Sequence, residues 1–192
     1  MNKNLAITIL TWNDWENTIE CLESIYQSDY NHFDIILIDN NSDKFHLEKI
    51  YDWSKNKIKV EDKEFNFNPS KRIDIIKVDE NFKIQELGKK KIYLIKNLIN
   101  IGLTAGLNVG YKFCEEQKYD YIARVDCDFI ITKQYFKTMI DTLEKDKKIV
   151  AISPKIKHAG LRETVWWAGL KVNWSFLKFH KTMNLKKKKN AS

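Results

Sequence analysis

The stretch YIARVDCDF, residues 121–129, joins an apolar run to two aspartates that flank one cysteine. The apolar run predicts a buried strand, and side chains on a strand alternate between its two faces. Asp126 and Asp128 are therefore expected to project from one face, with Cys127 packed on the other. Two neighbouring carboxylates repel each other, so such a pair needs a cation, a hydrogen-bond network or open water. An Asp-rich turn at a strand end is the alternative interpretation.

Strand and helix patterns alternate along the rest of the chain. Further β-rich runs predict strands at residues 5–10, 33–38, 73–78, 92–95 and 148–153. Helical spacing predicts a helix capped by Asn13 or Asp14, a helix over 108–117, and a third with an apolar face from Tyr135 to Leu143. Such alternation is typical of an α/β fold, in which helices cover both faces of a mainly parallel sheet.

Three polar clusters lie at the ends of predicted strands: Thr11–Asp14, Asp39–Asp43 and Asp126–Asp128. In open parallel sheets, ligands bind outside the carboxyl ends of the strands, near the point where the strand order reverses. The three clusters therefore predict one shared cleft rather than three unrelated turns.

Composition indicates an ordinary globular protein, since 43% of its residues are hydrophobic and 31% are charged, and 192 residues suffice for one sizeable core or for a domain and a half. No apolar stretch approaches the length of a membrane span, and the N-terminal residues do not resemble a signal peptide. Cys21, Cys114 and Cys127 are widely spaced and form no CxxC pattern, which argues against a disulfide scaffold or a structural zinc site. A cytoplasmic protein is expected.

The net charge of +7 is uneven, because the run Lys186–Lys189 supplies four of the positive charges. Residues 177–192 are interpreted as a basic, disordered tail, and contact of this tail with anionic lipid at the inner face of the cell membrane is the second interpretation. Basic residues elsewhere are interleaved with acids, which argues against nucleic-acid binding. Residues 54–91 break the alternation and are expected to elaborate the edge of the sheet or to form a surface excursion.

The polar clusters and their flanks resemble, in order, the sequence blocks of family 2 glycosyltransferases, in particular the rhamnosyltransferase-like branch. The matching blocks are ITILTWNDWENTIECLESIYQS, DIILIDNNSD, NLINIGLTAGLNVGYKFC and YDYIARVDCDFII, with SPKIKHAG and TVWWAGLKVNW extending the likeness. The resemblance covers residues 5–176 apart from 54–91 and implies a GT-A fold, that of nucleotide-diphospho-sugar transferases. Residues 1–176 would then form one nucleotide-sugar-binding domain.

The resemblance implies that the two aspartates bind a divalent cation, Mg²⁺ or Mn²⁺, which bridges them to the diphosphate of a nucleotide-sugar donor. Asp128 corresponds to the more constant position of the family motif and is expected to bind the metal. Asp126 is expected to contribute to the metal shell or to contact ribose or bound water.

The other blocks gain donor-binding roles in the same way. Thr11 and Trp12 would line the nucleobase pocket, Asn13 would shape the turn, and Asp39 or Asn40 would bond the base or ribose. In the family, a Gly-Gly pair lets the backbone approach the donor and the following Asn starts a helix. Gly106 and Asn108 remain here, whereas Ala105 replaces the first glycine of the pair.

The resemblance implies an inverting transfer from the nucleotide-diphosphate sugar to a glycan or lipid-linked saccharide, as in polysaccharide biosynthesis. In the family, the general base that deprotonates the acceptor comes from an acidic motif within a C-terminal acceptor-binding region. Nothing resembling that motif follows Trp174, so the base is unassigned and the chain is interpreted as lacking that region. Uncovered aromatic residues are then expected to favour self-association; these are Trp166, Trp167, Trp174 and Phe176.

Two alternatives remain open from the sequence. The chain could be a non-catalytic or split-enzyme fragment that binds the donor and needs a second chain for transfer. An unrelated Rossmann-like module is the third interpretation. Metal-dependent nucleotide binding separates the third interpretation from the first two, and sugar turnover separates the enzyme from the fragment.

Overall fold

The computed structural model of the chain describes residues 3–58, 73–79, 81–158, 161–173 and 178–181. Its elements are, in chain order, β1 (Leu5–Thr11), α1 (Trp15–Tyr26), β2 (Phe33–Asp39), α2 (Lys44–Ser54), β3 (Ile75–Lys77), β4 (Ile92–Lys96), α3 (Leu103–Glu116), β5 (Tyr121–Arg124), α4 (Tyr135–Lys145), β6 (Ile156–His158), β7 (Leu161–Trp167), β8 (Leu170–Asn173) and β9 (Lys178–Lys181). The chain divides into two units, residues 1–137 and 138–192.

The first unit is built on a five-stranded sheet with the order β3-β4-β2-β1-β5. All four strand pairs are parallel, which confirms the predicted α/β architecture. The register of β1 and β2 pairs Leu5 with Phe33 and Thr11 with Asp39, so the two strands end at the same level. The polar residues that follow both strands therefore emerge side by side.

The two central strands are almost wholly buried, and alternate residues face different helices. Thr11 bonds Thr18 of α1, which assigns the odd-numbered residues of β1 to the α1 side. Trp53 of α2 donates its indole N–H to the buried Glu23 of α1 at 2.7 Å, so α1 and α2 pack together. Helix α3 contacts β1 and β2 from the other side.

Two glycines let α3 lie close to the sheet. A Cβ on Gly106 would lie 2.6 Å from Leu10 Cδ1, and a Cβ on Gly110 would lie 2.7 Å from Ile38 Cδ1. Both distances are shorter than carbon atoms tolerate, so a larger residue would push the helix away from the sheet.

At the amino ends of the strands, the buried carboxylate of Asp34 holds the chain that enters β4. Its oxygens accept the backbone N–H groups of Gly88, Lys89 and Lys91 at 2.6, 3.0 and 3.1 Å, and the hydroxyl of Tyr119 at 3.0 Å. Four donors satisfy a carboxylate that is otherwise shielded from water.

One helix start and one strand differ most from the sequence-based predictions. Helix α3 begins at Leu103 rather than Asn108, because Gly102, with φ +79°, turns the chain into the helix five residues earlier. The predicted strand at 148–153 is wrong: among the described residues none pairs with it, and Val150 is 92% exposed. An apolar run becomes a strand only where a neighbouring strand takes its backbone hydrogen bonds.

The second unit contains the antiparallel pairs β6-β7 and β8-β9, which the sequence patterns did not predict. Strand β9 lies within residues 177–192, the segment interpreted as a tail, whereas Lys186–Lys189 lie outside the described residues. Strand β3, within 54–91, is an edge strand of the five-stranded sheet. No helix in the described part of the chain is long and apolar enough to cross a membrane.

Candidate active site

The candidate site begins where β1 and β2 end. The backbone N–H of Asn40 donates to the carbonyl of Thr11 at 2.9 Å, and the N–H of Asn13 donates to Ser42 Oγ at 2.9 Å. Asn13 adopts φ +52°, which asparagine tolerates better than most residues, and its Oδ1 accepts the N–H of Asp43 at 2.8 Å. Asn13 thus shapes a turn that joins the two strand ends.

Thr11 and Trp12 present different groups at this edge. Thr11 is buried, and its hydroxyl shares a hydrogen bond of 2.8 Å with Thr18. Trp12 is more than half exposed, so its indole ring is open to a ligand. The flat apolar face of an exposed tryptophan is suited to stacking against a planar base.

Asn40 holds the segment that follows β4. Its Nδ2 donates to Asn100 Oδ1 at 2.8 Å and to the carbonyl of Gly102 at 3.4 Å. Its Oδ1 accepts Asn97 Nδ2 at 3.0 Å and the N–H of Ile101 at 3.2 Å. The amide of Asn40 is therefore fully used in fixing the chain between β4 and α3.

Asp39, the last residue of β2, is buried, and only one of its two carboxylate oxygens has a hydrogen-bond partner among the described residues. Its Oδ1 accepts the N–H of Ser42 at 3.0 Å, whereas its Oδ2 has no hydrogen-bond partner among the described residues. The hydroxyl of Tyr51 on α2 is also buried, and it too has no hydrogen-bond partner among the described residues. Burial, and secondarily the charge of Asp39, raises the pKa of Tyr51, which keeps its phenol protonated.

A cavity of about 340 Å³ lies at the carboxyl ends of β3 and β4 and is bordered by Tyr51. Tyr51 lines it, and Lys96, which pairs in register with Asp39, lines it as well. The complete lining is Lys44, Leu47, Glu48, Tyr51, Lys77, Val78, Leu94 and Lys96. Three lysines thus line a space that also borders Tyr51, whose hydroxyl has no partner among the described residues.

Asp126 and Asp128 lie in a turn rather than on a strand. Strand β5 ends at Arg124, and the N–H of Phe129 donates to the carbonyl of Asp126 at 3.0 Å, which closes the turn. The argument from strand alternation therefore does not apply to these aspartates, which lie in a turn at the strand end, and their binding of a cation stays a prediction. The predicted burial of this strand is wrong, because no residue of β5 is buried and Ile122 is 44% exposed; β5 is an edge strand of the sheet.

The two carboxylates of this turn differ in their partners. Asp126 Oδ1 accepts Nε of Arg124 at 2.9 Å and lies 2.8 Å from Nη2 of the same guanidinium. Asp128 is exposed and, among the residues described, has neither a hydrogen-bond nor an ion-pair partner. Asp128 is thus the carboxylate of this turn that no described residue occupies.

A cysteine thiol of α1 holds the turn that contains Asp126 and Asp128. The thiol of Cys21, which is fully buried, donates to the carbonyl of Asp126 at 3.6 Å. Cys127 is half-buried, and burial raises the pKa of its thiol to about 11. Both groups therefore remain neutral thiols near pH 7 and contribute packing rather than metal-binding thiolate.

The two aspartates do not form a complete metal site on their own. The described residues contain no group of three or more His, Cys, Asp or Glu side chains that could hold a metal ion. Mg²⁺ and Mn²⁺ prefer hard oxygen ligands, and Mg²⁺ usually takes one or two carboxylates plus phosphate oxygens and water. The donor set fits a cation that arrives with a diphosphate.

The remaining candidates lie on α3. Gly106 is buried against Leu10, with its Cβ position 3.6 Å from Asn40 Oδ1, so its smallness serves the packing of α3. Asn108 is exposed and lies within the helix rather than at its start. Donor contacts by Gly106 and Asn108 stay predictions.

Sequence reasoning did not single out three polar residues of this edge. Asn97 and Asn100 directly follow a predicted strand, so the rule that identified the other clusters could have found them. Tyr51 carried no such signal, because it lies on a helix and meets Asp39 only through the packing of α2 on the sheet.

With this geometry in place, the comparisons define the class of protein. The sequence pattern of the family described as Glycosyl transferase family 2 matches residues 6–76 and 78–192, and the chain belongs to that family. No curated protein sequence matches the chain.

Solved structures share the fold at low sequence identity. The mannosyltransferase PcManGT from Pyrobaculum calidifontis, solved with GDP-Man and Mn²⁺, has a TM-score of 0.58 at 14% identity, over 82% of this chain and 36% of its own. TarS 1–349 from S. aureus, solved with UDP-GlcNAc, has a TM-score of 0.50 at 16% identity, over 74% of this chain and 31% of its own. The chain therefore spans about a third of the length of these structural relatives.

Proposed function

We propose that this chain binds a nucleotide-diphosphate sugar at the carboxyl edge of its parallel sheet and takes part in transferring the sugar to a saccharide acceptor. The observation that carries the proposal is the pair of unsatisfied carboxylates at this edge: Oδ2 of Asp39 at the end of β2, and Asp128 after β5. Strand β1 lies between those two strands. Residues 1–176 are taken as the donor-binding domain.

The nucleoside would lie at the Asp39 end. Asn40 is occupied by the β4–α3 segment, which favours Asp39 as the group that bonds the base or ribose. Its free oxygen can accept a hydrogen bond from a ligand N–H or O–H after a small opening of the buried pocket. Trp12 would stack on the base, with Thr11 and Asn13 forming the floor and turn beneath it.

The diphosphate would lie at the Asp128 end. Asp128, with Asp126, would hold a divalent cation, which neutralises charge on the leaving diphosphate when bound. The amino end of α3 also opens on this edge, and its first backbone N–H groups favour an anion. In support, a structural relative of this fold was solved with GDP-Man and Mn²⁺.

The proposed reaction is a single displacement with inversion. The oxygen of an acceptor hydroxyl bonds to the anomeric carbon as the bond from that carbon to the diphosphate breaks. The hydroxyl proton passes to a general base, which is not assigned to a residue of this chain. A glycan or lipid-linked saccharide is the proposed acceptor.

Titration calorimetry with Mn²⁺ and, separately, UDP, GDP and dTDP tests the donor site. Asp128→Ala should abolish Mn²⁺-dependent binding of the preferred nucleotide, because it removes the one exposed carboxylate of the turn that has no partner among the described residues. The matched control is Cys127→Ala, which alters the same turn without changing a carboxylate and should bind nearly as the parent does. Equal binding by the parent and the Asp128 variant, or binding unaffected by chelator, would contradict the metal assignment.

A further inference from the structure

The segment between β4 and α3 exposes an unusual run of large apolar side chains. Leu98 is 91% exposed, Ile99 66%, Ile101 37% and Leu103 55%. Isolated exposed apolar residues are ordinary, whereas several within six positions mark an interaction surface. Residues 97–103 are called the apolar loop.

The polar side chains of the apolar loop are tied to the strand end by hydrogen bonds. Asn97 and Asn100 both bond the buried Asn40, and the N–H of Gly102 donates to Asn100 Oδ1 at 2.9 Å. Turning Leu98 or Ile99 inward would break these bonds and leave the amide of Asn40 unsatisfied. The exposure of the apolar side chains is therefore fixed by the hydrogen-bond network and does not reflect a loosely folded loop.

Two aromatic residues follow the adjacent strands at the same edge of the sheet. Trp12 follows β1 and Phe45 lies in the first turn of α2, just after β2, and each is 55% exposed. The carboxyl ends of parallel neighbouring strands lie together, so these rings and the apolar loop border the same edge. The apolar rim consequently extends beyond one loop.

The charge beside the apolar loop is positive. Lys96 immediately precedes it, and Lys44, Lys77 and Lys96 line the neighbouring cavity. The one acidic residue of that lining, Glu48, lies 3.2 Å from Lys44 and is paired with it. The sequence contains no aspartate or glutamate from Leu87 to Cys114.

We propose that the apolar loop docks the protein on the surface of an anionic lipid bilayer. Leu98 and Ile99 would enter the boundary between headgroups and acyl chains, while the lysines face lipid phosphates. Charge complementarity favours this occupant, and a bilayer accepts a protruding loop without the matched groove that a protein partner would supply. The proposal goes beyond donor binding, because it would bring the donor cleft to the membrane surface and stands independently of catalysis.

Co-sedimentation with vesicles tests the docking. The 192-residue chain with Lys186–Lys189 changed to glutamine serves as parent, so that the basic tail does not contribute. This parent should bind vesicles of equal phosphatidylglycerol and phosphatidylcholine, and bind pure phosphatidylcholine at least about ten-fold more weakly. Leu98→Ser/Ile99→Ser should lower the partition coefficient on the anionic vesicles by about ten-fold or more. Lys96→Gln should lower it by about five-fold.

Val150→Ser is the matched control, because Val150 is equally exposed at 92% but lies in the other unit of the chain. It should leave vesicle binding unchanged, and thermal melting should show that all variants are folded. Full vesicle binding by Leu98→Ser/Ile99→Ser would overturn the proposal. Equal binding of the parent to both lipid compositions would also overturn it. So would a Leu98→Ser/Ile99→Ser variant that loses self-association in the absence of lipid but keeps its vesicle binding.

Discussion

At the scale of single residues, Asp39 and Asn40 are adjacent in sequence and opposite in role. The side chain of Asn40 makes four hydrogen bonds to the segment after β4, whereas Oδ2 of Asp39 has no partner among the described residues. One of these residues therefore maintains the structure, and the other is available to a ligand.

We predict that Asp39→Ala and Asn40→Ala separate binding from stability. Asp39→Ala should weaken nucleotide binding at least about ten-fold but change the free energy of unfolding by less than about 1 kcal/mol, because it removes one hydrogen bond and one poorly solvated oxygen. Asn40→Ala should lower that free energy by about 1–3 kcal/mol, since it leaves buried amide partners unsatisfied. Urea denaturation and calorimetry on the same samples measure both effects.

An unfolded Asp39→Ala variant in circular dichroism would make Asp39 a structural turn residue. Asn41→Ala is the reference variant for this turn. Asn41 adopts φ +66° and its side chain is exposed, so this substitution alters the turn without removing a buried side chain from the site.

At the scale of elements, the contact of α3 with the sheet depends on two glycines whose neighbours differ in mobility. Ile38, opposite Gly110, is fully buried, whereas Leu10, opposite Gly106, is only half-buried. We predict that Gly110→Ala destabilises the fold by about 1–3 kcal/mol, and Gly106→Ala by less, because Leu10 has room to move.

The double variant Gly110→Ala/Ile38→Val provides the control for this packing argument. Removing the Cδ1 methyl should recover part of the loss, so the two changes should be less than additive in urea denaturation. Full additivity would show that Gly110 matters for a reason other than its contact with Ile38.

The elements also show where sequence reasoning succeeds. Strands β1 and β2 were predictable because each is a short apolar run closed by polar residues, and the parallel sheet followed from the alternation with helices. The strand at 148–153 was wrong because an apolar run does not reveal whether a partner strand lies beside it. The start of α3 was predicted five residues too late, because helical spacing does not reveal that Gly102 adopts φ +79° and turns the chain into the helix.

The candidate site divides in the same way. Its clusters at the ends of β1, β2 and β5 were visible in sequence, since each follows an apolar run, although only β1 and β2 are buried strands. Which of Asp39 and Asn40 is free was not visible, because that depends on Asn97 and Asn100 reaching across from another strand.

At the scale of the whole molecule, buried ionisable groups predict a loss of stability in alkali. Burial raises the pKa of the Cys114 thiol from 9.0 to about 12, and burial with the charge of Asp34 raises that of Tyr93 from 10.0 to about 12. The unfolded chain loses these protons at lower pH than the folded chain. Stability is therefore fully present below pH 9 and declines as pH rises toward 12.

Urea denaturation from about pH 8 to about pH 11 should show a fall of about 2 kcal/mol or more in the free energy of unfolding. Tyr93→Phe should flatten the upper part of this decline, because it removes one titrating group while keeping the ring. A free energy that stays level up to pH 11 would contradict the prediction.

The last prediction concerns what the 192-residue chain does by itself. The residues proposed to bind the donor lie between Thr11 and Asp128, and no acidic residue follows Trp174 in its sequence. General base catalysis contributes about 10²- to 10⁴-fold in rate. We therefore expect the chain to bind a nucleotide sugar but to transfer the sugar slowly. A donor panel with saccharide acceptors, read as released nucleoside diphosphate against a water-only control, measures this, and rapid acceptor-dependent release would place a base within this chain.

The carboxylate of Asp34 has a consequence for how such a sheet can change over evolution. It fixes the chain at Gly88, Lys89 and Lys91, immediately before β4 begins. These contacts set the register of β4 at residues 88–91, which follow the long connection between α2 and β4. Insertions or deletions in that connection can accumulate without shifting Asn97 and Asn100 relative to Asn40. The donor edge is in this sense insulated from length variation in the neighbouring part of the chain.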